Sequence, residues 1–239
     1  MILNRLKTNK IFFLITTVLI TLTLVYFLVI RKSTVEENYG DNFSIIYTGS
    51  ITESSESIKN QYQVYLKEAA EFWDKMLLEE NRMKINVKMF AEKPTEYYTV
   101  LAKGSVFSRT KLKEGGYHLI NSEAESKNWT DVFKHEIAHI MGIGLNIYWV
   151  NAIIGYNLDG VKFPISLQEY KEKYKPRDEN TLLIPLSRDR GHFSETIFDK
   201  ELMTPYSDEP AKQPVTRLTL GALSDLGWNI DLNKAEEIV

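Results

Sequence analysis

The sequence predicts an α+β domain preceded by one membrane-spanning helix. Three observations support this fold class. A twenty-residue apolar run lies near the N-terminus, short β-branched or alternating segments follow it, and longer segments repeat apolar residues at helical spacing. The chain has 239 residues, of which 44% are hydrophobic and 26% charged, so it is long enough for a single domain with a sizeable core.

The apolar run covers residues 11–30 and contains no charged side chain. Twenty such residues match about 30 Å of hydrocarbon, so we expect a transmembrane helix in the lipid bilayer. A cleaved signal peptide is the alternative, but its apolar region spans about 7–15 residues and ends in small residues, which this sequence lacks. Three bases precede the run and two follow it. The positive-inside rule therefore places residues 1–10 in the cytoplasm and the remainder outside the cell, in a single-pass protein of the cell membrane.

Charge and composition exclude several classes of protein. Residues 1–32 carry a net charge of +5, which leaves −8 on the rest of the chain. An acidic body argues against nucleic acid as a partner. The chain has no cysteine, which excludes disulfides, thiolate metal ligands and a cysteine nucleophile.

The first predicted elements follow the apolar run in order. Residues 31–42 are mostly polar and predict a tether, so that the folded domain occupies residues 43–239. β-Branched and aromatic residues predict a strand over Phe43–Thr48. Apolar residues at helical spacing predict a core helix over Ser54–Glu80, and strict alternation predicts a half-buried strand over Met83–Phe90.

Further elements are predicted on both sides of the most informative segment. Short strands are expected over Tyr97–Leu101 and Gly116–Ile120. The second contains His118, which we assign to the core because a lone histidine in a strand is usually structural. Near the C-terminus, Thr216–Leu226 has helical spacing, with Thr216 as the N-cap and Gly227 as the residue that ends the helix.

The segment Lys134–Gly142 has the sequence Lys-His-Glu-Ile-Ala-His-Ile-Met-Gly. On a helix, His135 and His139 lie one above the other on the same face. Two imidazoles at this spacing can bind one zinc ion. Glu136, beside the first of them, matches the general base of the H-E-x-x-H arrangement of metalloproteases. The alternative is an ordinary amphipathic helix with two surface histidines.

The segment also resembles the metzincin pattern H-E-x-x-H-x-x-G-x-x-H, with Gly142 at the glycine position and Leu145 where the third histidine is expected. One metzincin branch, the leishmanolysin family, has an insertion before a distant third histidine, and a Met-turn follows shortly after it. The chain resembles this branch through His192 and through Glu201-Leu202-Met203-Thr204-Pro205. Two more segments are similar to the family, Ala69–Trp73 and Thr219–Trp228.

The resemblance implies a metzincin-like zincin fold. Its upper lobe, about residues 43–142, would contain a twisted sheet with helices, and its smaller lower lobe, residues 143–239, would be mostly helical or irregular. A cleft with one catalytic Zn²⁺ would lie between the lobes. The implied roles are metal ligand for His135, His139 and His192, general base for Glu136, a Met-turn residue beneath the metal for Met203, and a transition-state helper for Tyr206.

Counting histidines supports the third ligand independently. A catalytic zinc ion needs three protein ligands and one open position. Only four histidines are present, so His118 and His192 remain once the helix has supplied two. Only His192 precedes a segment that resembles a Met-turn. Glu195 and Glu201 remain alternatives, because zinc also accepts carboxylate ligands.

These observations predict a membrane-anchored zinc endopeptidase that acts on protein or peptide substrates. An extended substrate is expected to add to a strand edge near Gly116–Asn121. Two alternatives stay open. One is a membrane-tethered protein that binds zinc without peptidase activity, and the other is an amidase that cleaves cell-wall peptides at the same kind of site.

Overall fold

A five-stranded mixed sheet occupies the N-terminal half of the folded chain. The structure, a computed structural model, describes residues 16–21, 34–49, 54–93, 100–153, 160–174, 181–207 and 211–237. Within these residues the fold is α+β, as predicted. The sheet has the order β1-β2-β3-β5-β4, in which β2, β3 and β5 are parallel and the two edge strands are antiparallel to their neighbours. Its strands are β1 Thr34–Tyr39, β2 Phe43–Thr48, β3 Met83–Phe90, β4 Ala102–Val106 and β5 Gly115–Asn121.

The helices and a small second sheet complete the described fold. The second sheet pairs β6 Gly160–Val161 with β7 Ile184–Pro185. A 3₁₀ helix, Leu232–Lys234, lies near the C-terminus. The α-helices are α1 Ser55–Met76, α2 Trp129–Ile140, α3 Ile147–Ala152, α4 Pro164–Tyr174, α5 Glu195–Phe198 and α6 Arg217–Leu226.

The first strand corrects the predicted tether of residues 31–42. Residues 34–39 pair with β2 along their whole length and form the edge of the sheet. Two acidic side chains made this strand difficult to predict. Glu36 accepts a hydrogen bond from Ser44 Oγ at 2.5 Å, and Glu37 forms a salt bridge with Lys59 at 2.7 Å. Because both acids have partners on β2 or α1, the strand can belong to the domain despite its polar sequence.

The predicted edge at Gly116–Asn121 is wrong. This segment belongs to β5, which pairs with β3 on one side and with β4 on the other, so it has no free edge. On this side of the sheet, the edge strand among the described residues is β4, which pairs with β5. Most of the strand predicted over Tyr97–Leu101 lies outside the described residues, and β4 begins at Ala102.

Helix α1 packs against the sheet and against α2. Its buried face includes Leu66, Ala69 and Trp73, as the helical spacing predicted. The indole nitrogen of Trp73 donates a hydrogen bond of 3.0 Å to the carbonyl of Lys134, which ties α1 to α2. The helix ends at Met76 and not at Glu80, because Leu77 is extended and forms a bridge with Ile230.

The C-terminal segment returns to the end of α2. Thr216 caps α6 by accepting a hydrogen bond from the Leu218 backbone, and Gly227 ends the helix with φ +107°, both as predicted. The indole nitrogen of Trp228 then donates a hydrogen bond of 2.7 Å to the carbonyl of Met141. The residues after α6 therefore support the end of the histidine helix. The division into two lobes around a zinc cleft stays a prediction.

Only residues 16–21 of the predicted membrane-spanning segment, residues 11–30, belong to the described part, where they are helical. The rest of that segment lies outside the described residues. Among the helices that the structure describes, none combines the length and the apolar character needed to cross a bilayer.

Candidate metal centre

Helix α2 places His135 and His139 one turn apart. The helix begins where the Asn128 side chain accepts a hydrogen bond from the Asp131 backbone. It ends before Gly142, whose φ of +127° is accessible to glycine but strained for other residues. This turn brings the chain back so that the carbonyl of Ile143 lies 2.8 Å from His139 Nδ1. The helix end therefore shapes the site as well as terminating α2.

A buried ion pair fixes the start of α2. Lys134 Nζ lies 3.1 Å from Asp131 Oδ1, and both side chains are almost inaccessible to solvent. The other oxygen of Asp131 accepts a hydrogen bond of 2.9 Å from the Gln213 backbone. Gln213 in turn donates through its side chain to the Tyr206 carbonyl. Asp131 thus links the histidine helix to the segment that forms one wall of the cleft described below.

The structure brings the predicted third ligand, His192, to the helical pair. The Nε2 atoms of His135, His139 and His192 form a triangle with sides of 3.0, 3.0 and 3.1 Å. His192 lies in an irregular turn that follows β7. Since it lies 53 positions after His139, only the fold can bring the three rings together. These three histidines are positioned to bind a metal ion.

The hydrogen-bond partner of Nδ1 decides which tautomer each neutral histidine adopts. His135 Nδ1 lies 2.6 Å from the Leu202 carbonyl, His139 Nδ1 2.8 Å from the Ile143 carbonyl, and His192 Nδ1 2.8 Å from Asp189 Oδ2. Carbonyl and carboxylate oxygens only accept hydrogen bonds, so each neutral imidazole must carry its proton on Nδ1. Three unprotonated Nε2 atoms then face one another. These three nitrogen atoms could therefore coordinate a cation placed between them.

The donor set fits zinc. Zn–N bonds of 2.0–2.1 Å in tetrahedral geometry separate two ligand nitrogens by about 3.4 Å, slightly more than the 3.0–3.1 Å between the Nε2 atoms here. Small outward shifts of the rings would accommodate the difference. Among the described residues, no fourth histidine, aspartate or glutamate joins the cluster. Three nitrogen ligands with a fourth position open are typical of catalytic zinc sites.

The backbone of the predicted Met-turn contacts one of the three ligands, His135, and the residue that follows another, Phe193 after His192. The Leu202 carbonyl accepts from His135 Nδ1, and the Met203 carbonyl accepts a hydrogen bond of 2.9 Å from the backbone of Phe193, next to His192. The Met203 side chain is fully buried. The turn therefore holds the helical ligand and the remote ligand in register with each other.

Neither carboxylate alternative belongs to the cluster of metal-ligating side chains. Glu201 is fully buried and accepts hydrogen bonds from the Met203 backbone at 2.6 Å and from Thr219 Oγ1 at 2.5 Å. Burial raises the pKa of Glu201 to about 7, and the donated hydrogen bonds oppose this shift. Its role is to join the Met-turn to α6. Glu195 lies on α5, outside the histidine cluster.

Glu136 is buried beside the histidines. Burial raises the pKa of its carboxyl group to about 8, and a hydrogen bond from the Gly104 backbone lowers it. A cation held by the neighbouring histidines would lower it further, because a positive charge stabilises the carboxylate. Gly104 on β4 lies so close to α2 that a Cβ atom there would be 2.8 Å from the Glu136 carbonyl. The strand therefore approaches the catalytic candidate more closely than any other residue type would permit.

A cleft of about 520 Å³ opens onto this site. His135, Glu136 and His192 line it, so the open side of the cluster is accessible to a ligand. Tyr206 also lines the cleft, and its side chain is 62% exposed. The other lining residues are Val100, Leu101, Ala102, Glu125, Val132, Thr204, Pro205, Ser207 and Gln213.

No protein-family model matches the chain, and no curated protein matches it either. The resemblance to the leishmanolysin family therefore stays a prediction. The candidate metal centre is supported by the geometry of the three histidines alone.

Sequence reasoning missed the groups that orient the three rings. Two of them are the backbone carbonyls of Leu202 and Ile143, which carry no sequence signal. The third, Asp189, has one: it precedes His192 by three residues in a turn that contains Gly191. An aspartate at that spacing can reach the histidine side chain once the chain reverses direction.

His118 lies outside the metal centre, as predicted. It is fully buried in β5, and its ring packs edge-on against Phe133 with centroids 4.7 Å apart. Neither ring nitrogen has a hydrogen-bond partner among the described residues. Burial lowers the pKa of His118 to about 3, so the folded protein keeps this ring neutral while the unfolded chain protonates it near pH 6.5.

Replacing His118 by leucine is expected to reduce the acid sensitivity of the fold. Because protonation favours the unfolded chain, stability is complete above pH 6.5 and falls as the pH decreases towards 3. Because of this ring, the free energy of unfolding should decrease by about 2 kcal/mol when the pH is lowered from 7 to 5. Urea unfolding of metal-free wild type and His118→Leu at both pH values measures the difference. Equal losses of stability in the two proteins would contradict this role for His118.

Proposed function

We propose that the protein is a zinc-dependent endopeptidase, a short leishmanolysin-like metzincin anchored in the cell membrane through residues 11–30 with its domain outside. The observation that carries the proposal is that the Nε2 atoms of three histidines converge beside a buried glutamate, and that His135, Glu136 and His192 line an open cleft. A substrate bound in the cleft would therefore lie next to a metal bound by the histidines.

The number of ligands favours catalysis over a purely structural metal. Structural zinc sites are closed by four protein ligands, whereas catalytic sites have three and an open position. The cluster among the described residues has three, and the cleft reaches two of them, His135 and His192. Burial of the Glu136 carboxyl group destabilises the fold. A structural metal site would not need this carboxyl group, whereas a catalytic site needs a general base.

The proposed chemistry is the addition of water to a peptide carbonyl. When bound, a zinc ion acts as a Lewis acid and lowers the pKa of a coordinated water towards about 7. Glu136 accepts the proton of the attacking water and then delivers it to the leaving amine. His135, His139 and His192 would hold the metal, and their Nδ1 hydrogen bonds would keep the rings in place during the reaction. This route needs no covalent intermediate.

The free edge of β4 offers a place for an extended substrate. On either side of β4, the Leu101 carbonyl accepts a hydrogen bond from the Asn121 backbone, and the Phe107 backbone donates one to the Gly115 carbonyl. Asn121 and Gly115 are the end residues of β5. Alternation in an antiparallel pair therefore turns the main-chain groups of Ala102 away from β5. Ala102 also lines the cleft, so a peptide could add there as a further strand. The apolar side chains of Val100 and Leu101 would contact the substrate beside it.

Removal and return of the metal test this proposal. Dialysis of the full-length protein in detergent against a chelator is expected to reduce casein cleavage to background, because the Lewis acid is lost. Stoichiometric Zn²⁺ should restore cleavage, whereas Mg²⁺ should not, since three imidazoles suit zinc and carboxylates suit magnesium. Fluorescence of labelled casein measures the rate.

Three outcomes contradict the proposal. Cleavage that resists chelation would exclude a metallopeptidase. Zinc binding without cleavage of casein or of a peptide library would favour the alternative of a tethered zinc-binding protein. Cleavage of cell-wall peptides alone would favour the amidase.

A further inference from the structure

We propose that Asp189 is a positioning residue for the metal centre, which fixes the tautomer and the direction of the His192 ring so that its Nε2 can bind the metal. The inference rests on the proposed function, since it concerns the third ligand of the same metal. The inference goes beyond that function because it proposes that the ability of His192 to bind the metal depends on Asp189, an exposed carboxylate outside the cluster.

The two carboxylate oxygens of Asp189 have different hydrogen-bond partners. Oδ2 lies 2.8 Å from His192 Nδ1. Oδ1 accepts hydrogen bonds from the Gly191 backbone at 2.8 Å and from Ser187 Oγ at 2.5 Å. One oxygen therefore shapes the turn that carries the ligand, while the other orients the ligand's ring.

His192 needs this support more than the other two ligands do. His135 and His139 lie on a regular helix, and backbone carbonyls hold their rings. His192 lies in a turn, and its side chain is 21% exposed. Arg190 in this turn has φ +60°, a left-handed conformation that is uncommon for residues other than glycine. A ring in such a position can rotate unless a fixed group holds it.

Backbone contacts secure the turn itself. The Ser187 backbone donates to the His192 carbonyl at 3.0 Å, and the Arg190 backbone donates to the Ser187 carbonyl at 3.0 Å. The indole nitrogen of Trp149 donates to the Arg190 carbonyl at 2.8 Å. None of these bonds reaches the imidazole. Among the described residues outside the metal cluster, Asp189 is the partner that determines where the His192 ring points.

The carboxylate also selects the tautomer that can bind a metal. Because it only accepts hydrogen bonds, the proton of neutral His192 stays on Nδ1 and the lone pair on Nε2 faces the other ligands. A negative charge on the far side also makes the imidazole a stronger donor to a metal. Half of the Asp189 side chain remains exposed, at 51%, so water stabilises the charge and the fold loses little by keeping it.

The substitution Asp189→Asn separates positioning from a merely structural role. Asparagine retains one acceptor oxygen, which can keep the hydrogen bonds to Gly191 and Ser187. Its amide nitrogen then donates towards His192 Nδ1 and favours a proton on Nε2, where it blocks the metal. We expect the affinity for Zn²⁺ to fall about 10–100-fold, as when other groups behind metal ligands are replaced.

The experiment compares Zn²⁺ affinity among full-length variants in detergent, by competition with a chromophoric chelator. Ser187→Ala removes one hydrogen bond from the opposite oxygen, so its affinity should fall much less than that of Asp189→Asn. Asp231→Asn is the matched control, because Asp231 likewise accepts from the backbone two residues ahead but has no histidine partner. NMR of ¹⁵N-labelled histidine in the metal-free protein measures the His192 tautomer directly.

The expected result is a proton on His192 Nδ1 in wild type, its move to Nε2 in Asp189→Asn, and weak zinc binding by that variant alone. The inference is overturned if Asp189→Asn binds zinc within threefold of wild type, or if Ser187→Ala loses as much affinity. A wild type that binds no zinc would overturn the proposed function as well, whereas the first two results would leave that function intact.

Discussion

Replacing Glu136 by glutamine is expected to lower kcat for peptide hydrolysis by about 10²–10⁴-fold while zinc stays bound. Glutamine has nearly the same shape as glutamate and can still accept the hydrogen bond from the Gly104 backbone. It cannot take a proton from the attacking water. The three histidine ligands are unchanged, so the loss should fall on the chemical step and not on metal binding. Steady-state kinetics and zinc content of the same preparation provide both measurements.

The same variant should be no less stable than wild type when metal-free. The buried carboxyl group of Glu136 prefers to be neutral, with a pKa of about 8. At pH 7 the folded metal-free protein must therefore bind a proton at Glu136 that the unfolded chain does not bind, and the neutral amide of glutamine removes this cost. Loss of activity without loss of stability would indicate that Glu136 acts in catalysis and not in folding. Urea unfolding of the metal-free proteins measures the stability.

Glu123→Gln provides the matched control. Its side chain is exposed and does not line the cleft, so kinetics and zinc content should both match wild type. Peptidase activity within a few-fold of wild type in Glu136→Gln would show that another group acts as the base. Loss of zinc from Glu136→Gln would instead show that Glu136 acts on the metal site and not on the attacking water.

Replacing His192 by alanine is expected to abolish stable zinc binding, and all peptidase activity with it. Two imidazoles on one helix would remain, without the third nitrogen that closes the triangle. The affinity should fall by more than the roughly 10–100-fold expected for groups behind the ligands. Wild type in excess Zn²⁺ should unfold at a higher temperature, because a ligand at 100 times its Kd stabilises the fold by about 2.7 kcal/mol. Calorimetry with and without Zn²⁺ should show this shift in wild type and its absence in His192→Ala.

The histidine outside the cluster supplies the comparison for that experiment. His118→Leu should retain the full zinc-dependent shift, since His118 does not belong to the cluster. If His192→Ala kept the shift, a different side chain would have to complete the site. The metal-free stability of His192→Ala should stay close to that of wild type, because the His192 side chain is partly exposed and such substitutions usually change stability little.

The polar contacts beneath the metal centre explain how two distant parts of the chain stay aligned. Glu201 connects the turn at Met203 to α6, and the backbone of this turn contacts both His135 and the residue after His192. The start of α2 is tied to the cleft wall through Asp131 and Gln213. Two of these links, His135 to Leu202 and Asp131 to Gln213, join residues far apart in sequence. The relative position of the ligands therefore depends on hydrogen bonds between distant segments as well as on apolar packing.

The sequence by itself determined the local part of the site. His135, Glu136 and His139 lie within five residues, and helical geometry fixes their relative positions wherever the helix packs. The same holds for α6, whose cap and terminating glycine are adjacent to it in sequence. The alternation of Met83–Phe90 likewise predicted which side chains of β3 are buried. In each case the determining interactions lie within one or two turns of the chain.

Only the tertiary structure decided what depends on distant contacts. The position of His192, the backbone carbonyls behind the helical ligands and the turn held by Asp189 have no counterpart within one helix or strand. Strand β1 joined the sheet because its acids found partners on β2 and α1, and β5 lost its predicted edge because β4 paired with it. Local sequence can specify which atoms are able to bind a metal, but the hydrogen bonds that aim them at one point come from segments that meet only after folding.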